Sequence, residues 1–205
     1  LELHQKPIIY LQETELDLLN LKKPNNWEFP CCLKKNFYQS STIMSEVKPS
    51  SFRNNYFSSK AKQTSRRKGK IHYQKGQHFI LSYHKSNNII DQQLIQEFHL
   101  KLVNEGMFVT ELVVFDDKKN TTVPISQNRN IWHFCQQDFT SKGLPKSESL
   151  IKILKQPSDF YINLDTIFSY QSIGMAIFSN STGRVSIYFE EYSRYFDILI
   201  KQNDR

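Results

Sequence analysis

The chain has 205 residues, 39% apolar and 13% aromatic, enough for one ordinary globular core with an extension and too little for two full domains. Its formal net charge of +7 is local, because Phe52 to Lys70 holds Arg53, Lys60, Lys62, Arg66, Arg67, Lys68 and Lys70 and no acid, whereas residues 1–51 and 71–205 are each balanced. No run approaches the roughly 18 apolar residues that span a bilayer, and three cysteines without a CxxC pair exclude a disulfide framework and the common zinc patterns.

In residues 1–43, Leu16, Leu19 and Leu21 follow Glu15 at helix-like spacing until Lys22-Lys23-Pro24-Asn25-Asn26 ends the pattern. The chain opens on Leu1 and its first methionine is Met44. One expectation is therefore that translation starts at Met44 and that residues 1–43 are a non-native or loosely ordered extension; the alternative is a chain truncated after an earlier methionine. Residues 44–76 are dominated by Ser, Lys, Arg, Asn and Gln with isolated aromatics, too little apolar surface to offset the entropy of ordering. They are expected to be mobile or only loosely docked, a flexible basic arm ahead of a folded domain over 77–205.

Within that domain the hydrophobic period alternates between strand and helix. His78 to Tyr83 reads as a strand, and Ile90, Leu94, Ile95, Phe98, Leu102 and Val103 form one face of a helix closed by Gly106. Val109 to Phe115 is rich in β-branched residues and predicts the second parallel strand of a right-handed βαβ unit. After a polar excursion through Asp116 to Asn130, the expected elements are a strand at Ile131 to Cys135, a short helix from Ser147 to Gln156 and a strand at Asp159 to Leu164. A crossover helix over Thr166 to Ser179 and strands at Arg184 to Phe189 and Tyr195 to Ile200 complete the series. The alternation predicts a three-layer α/β domain, an open and mostly parallel sheet of about five or six strands with Rossmann-like topology and helices on both faces.

The segments Cys135 to Leu150 (CQQDFTSKGLPKSESL), Ser158 to Asp165 (SDFYINLD), Ser172 to Phe178 (SIGMAIF) and Tyr195 to Ile200 (YFDILI) follow one another in this order. Over Arg66 to Ile200 the chain resembles an uncharacterised family of small cytosolic α/β proteins of Bacteroidota. The resemblance implies the fold and no particular activity.

Ligands of open parallel sheets bind beyond the carboxyl ends of the strands, so the loops after Tyr83, Phe115, Cys135 and Leu164 are the places to inspect. His84, Lys85, Ser86, Asn87 and Asn88 lie between a strand and a helix amino terminus, where free N–H groups favour an anion. No glycine lies between Gly76 and Gly106, so neither dinucleotide nor phosphate-loop motif is present, and capping by Ser and Asn with a surface lysine is the plainer reading. Asp116, Asp117 and Asp165 fall at the same edge, as a carboxylate cluster or as loop caps. His133 and Cys135 share a strand face, a pattern of packing more often than of ligation or nucleophilic catalysis, and adjacent Cys31 and Cys32 lack companion ligands. No catalytic residue, metal site or cofactor is expected from these patterns.

The basic stretch carries the leading functional expectation. Its seven cations would neutralise phosphates of RNA or a ribonucleoprotein, with Phe52, Tyr56 and Phe57 stacking on bases. An anionic membrane surface fits less well, since the stretch has no apolar helical face. The expected protein is a cytoplasmic accessory factor without enzymatic activity that binds RNA through this arm. The alternatives are a small-ligand protein or enzyme using a strand-end pocket of His84, Lys85, Ser86, Asn88, Asp116 and Asp165, and a protein-interaction module with a disordered leader.

Overall fold

The computed structural model describes residues 51–64, 69, 71–85, 89–116 and 130–201. Among the described residues six strands all pair in parallel. They are β1 (His78–His84), β2 (Phe108–Phe115), β3 (Ile131–Cys135), β4 (Ser158–Asn163), β5 (Ser181–Ile187) and β6 (Ile198–Ile200), in the spatial order β3-β2-β1-β4-β5-β6. That order reverses direction between β1 and β4, which makes their carboxyl ends the switch point of the sheet. Among the described residues the helices are α1 (Ser51–Gln63), α2 (Ile89–Asn104), α3 (Glu148–Lys155) and α4 (Tyr170–Phe178), with α2 between β1 and β2, α3 between β3 and β4, and α4 between β4 and β5.

Each strand buries alternate residues on opposite faces. Ile80, Leu112, Val114 and Tyr161 belong to a core shared with α1, α3, α4 and the aromatic turn around Tyr192 and Phe196. Phe79, Leu81, Val109, Phe160 and Val185 face the other way and pack with Phe98 and Leu102 of α2. The β-branched and aromatic runs predicted as strands are thus buried on both sides, the arrangement an all-parallel sheet requires. α4 is buried at every residue from Ser172 to Ile177, because it touches both α1 and α3 and a hairpin over 139–145 lies against it. Gly143 turns that hairpin at φ +91, and a Cβ at Gly174 would overlap the Gly143 carbonyl, so both glycines are demanded by close packing.

Several boundaries differ from the sequence expectation. The expected helix over Thr166 to Ser179 begins only at Tyr170, because Ser169 caps it by accepting from the Ser172 N–H while Asp165 is held in the preceding loop. The strand expected from Arg184 starts at Ser181, paired with Ser158, and the last strand is confined to Ile198–Ile200 because Tyr195 and Phe196 turn into the core.

Part of the basic stretch is built into the fold. Of the residues expected to be mobile or only loosely docked ahead of residue 77, one segment is α1, whose Phe57 is fully buried and stacks on Tyr170 at a centroid distance of 5.7 Å. Residues 71–77 are also tied down: Tyr73 packs edge-on against Phe79 and donates to Glu105, while buried Gln77 donates to the His72 carbonyl. The reason is tertiary. One phenylalanine flanked by polar residues carries no helical periodicity, yet it completes an aromatic nest built by residues more than a hundred positions away.

Candidate functional site at the sheet switch point

β1 ends on His84, and β4 is followed at once by Leu164 and Asp165, so the parallel pairing of these two central strands delivers both groups to the same edge. Asp165 is nearly buried, and its Oδ1 accepts the backbone N–H of His84 at 2.7 Å. Its Oδ2 faces His84 Nδ1 at 3.0 Å and also accepts the Ser172 hydroxyl from the first turn of α4. A carboxylate with these partners holds the proton of the imidazole on Nδ1. The His84 side chain is 22% exposed, and among the described residues its Nε2 has no hydrogen-bond partner.

Burial lowers the tendency of His84 to protonate, but the hydrogen bond and charge of Asp165, with the charge of Asp116 added, outweigh it and raise the pKa above the ordinary histidine value. Beneath this pair runs a layer of buried polar groups. Ser82 donates to the Tyr161 hydroxyl at 2.7 Å, and Asn163 Nδ2 donates to Ser186 at 3.0 Å. The Tyr192 hydroxyl accepts the Ser169 N–H at 2.9 Å. Burial pushes the Tyr161 and Tyr192 hydroxyls far above the ordinary tyrosine range, so both remain neutral donors and acceptors.

On the opposite face, Tyr83 donates to Glu111 Oε2 at 2.6 Å, and Glu111 Oε1 lies against His99 Nδ1 of α2. This contact places α2 against the sheet, and the Tyr83 hydroxyl satisfies one oxygen of the buried carboxylate. His133 sits edge-on to Phe115, and burial together with the Lys85 charge lowers its pKa. Cys135 is a buried free thiol.

Of the residues expected in a strand-end pocket, the structure brings His84 and Asp165 together and places Asp116 close enough to act on His84 through its charge. Lys85 points instead along α2, with Nζ 3.3 Å from Gln92 Oε1. Ser86, Asn87, Asn88 and Asp117 lie outside the described residues, and among those described no three His, Cys, Asp or Glu groups converge as a metal site. Ser172, Asn163, Tyr161 and Tyr192 were not singled out from the sequence, where they look like ordinary members of a helix, a strand and an aromatic turn.

Of the basic stretch, Arg53, Lys60 and Lys62 lie on α1, and Arg66, Arg67, Lys68 and Lys70 lie outside the described residues. Phe57 is not open to a base, since Tyr170 and Tyr195 cover it, and Lys142 stands 4.1 Å above the ring of Tyr56. No helix among the described residues is long and apolar enough to cross a membrane.

A family model described as a family of unknown function, DUF6913, matches residues 48–205. The match begins ahead of α1, in keeping with a fold that includes this helix. No curated protein and no solved structure matches the chain.

Proposed function

We propose that this chain, which belongs to the DUF6913 family of unknown function, binds a small polar ligand at the carboxyl edge of β1 and β4, with His84 Nε2 as the group that meets it. The observation that carries this reading is the fixed imidazole: Asp165 takes the Nδ1 proton and the His84 backbone N–H at once, leaving Nε2 to accept from or donate to a ligand. The position supports it too, since ligands of open α/β sheets bind beyond the strand carboxyl ends where the strand order reverses, here between β1 and β4. Buried Ser172 holds Asp165 in place rather than meeting a ligand.

The test is thermal unfolding of the full chain with ATP, NAD and inorganic phosphate in turn, for the natural protein and His84→Gln. A rise in melting temperature with one of these, lost in His84→Gln, is expected. An equal rise in both proteins, or no rise with any of the three, counts against the reading.

A second reading, RNA or ribonucleoprotein binding through the basic stretch, is favoured by the seven cations without an acid between Phe52 and Lys70. It predicts binding of an RNA oligonucleotide that weakens steeply with salt. A cytoplasmic setting belongs to both readings.

A further inference from the structure

Of the two layers that cover the sheet one is balanced in charge, with Lys75, Lys85 and Lys101 against Asp91, Glu97 and Glu105, and the other is basic. On the layer of α1, α3 and α4, α1 carries Arg53, Lys60 and Lys62 and no acid, and residues 139–155 carry Lys142, Lys146, Lys152 and Lys155 against Glu148 alone. α4, between α1 and α3, has no charged residue. The 3₁₀ turn Glu190–Arg194 places Glu190 and Glu191 beside Arg194 and bounds the basic layer on the β6 side.

The cations are linked by structure and not only by count. Lys142 on the hairpin caps the ring of Tyr56 on α1, and the same hairpin lies against α4 and leads through Lys146 into α3. Lys62, Lys146, Lys152 and Lys155 are exposed. With helices packed roughly 8–10 Å apart, α1 and α3 lie about 20 Å from one another across α4. At the α3 end an open concavity is lined by Ile151 and Pro157, an apolar floor, with Lys152, Lys155, Gln156 and a single acid, Glu148, around it.

We infer that this face, from α1 across the hairpin to α3, is a docking surface for single-stranded nucleic acid. Phosphates lie along Lys62, Lys146, Lys152 and Lys155, and a base rests on the Ile151 and Pro157 floor. The inference rests on the second reading above and changes its geometry. The contact is a fixed face that reaches α3, which begins 78 positions after the basic stretch ends, and the docking of Phe57 is what joins the two parts.

The experiment is fluorescence anisotropy of a labelled 20-nucleotide oligouridine with the full chain, between about 50 and 200 mM salt. The natural protein, the pair Lys152→Gln with Lys155→Gln, and the triple Arg66→Ala, Arg67→Ala, Lys68→Ala are compared. Both variants are expected to bind more weakly, and the α3 pair should lower the salt slope by about 0.7 for each lysine removed. Loss in the triple variant with unchanged binding by the α3 pair would overturn the face while leaving RNA binding by the basic stretch standing. No binding by the natural protein would overturn both, as would binding to phosphatidylserine vesicles without binding to the oligonucleotide. Both α3 lysines are exposed, and an unchanged melting temperature of the pair verifies that folding is intact.

Discussion

Asp165 joins three parts of the chain through one side chain: the end of β1, the loop after β4 and the first turn of α4. Its link to His84 makes stability depend on pH with a definite sign. The folded-state pKa of His84 lies above the unfolded value of about 6.5, so its contribution is complete below that pH and is lost as pH rises through the folded value. The gap in melting temperature between the natural protein and His84→Gln should therefore narrow as pH is raised from about 6 upward. A gap that widens with pH would contradict the pairing. In a heteronuclear NMR titration, the His84 resonance should move at a pH above the ordinary histidine range in the natural protein and at a lower pH in Asp165→Asn. Both partners could be named from the sequence as strand-end residues, but their pairing could not, since they are 81 positions apart and meet only because β1 and β4 are neighbours.

At the scale of elements, α1 decides between a tethered arm and a structural helix. Truncating a buried phenylalanine costs about 3–5 kcal/mol, whereas a substitution in an exposed arm stays within about 0.5 kcal/mol. Urea denaturation of Phe57→Ala should thus report a loss of the first size, and a midpoint equal to that of the natural protein would show that α1 does not contribute to the core. The same contrast explains what was legible. The strands of the central sheet announced themselves by runs such as Phe108–Phe115, where nearly every residue is apolar or β-branched, and α2 by its spacing of Leu94, Phe98 and Leu102. α1 did not, because its stability comes from Tyr170 and Tyr195 rather than from its own pattern.

For the whole molecule, the consequence is that the folding unit begins ahead of β1. A chain starting at residue 71 removes Phe57 and uncovers the rings of Tyr170 and Tyr195, and it should melt well below a chain starting at residue 48; equal melting temperatures would place the boundary after α1. By itself the sequence determined the α/β class, the parallel sheet and the edge at which polar groups gather, because hydrophobic period and βαβ handedness are local properties of the chain. Only the tertiary structure decided the order β3-β2-β1-β4-β5-β6, the union of His84, Asp165 and Ser172, and the place of the basic helix. Each of these depends on contacts between distant segments, which no window of neighbouring residues contains.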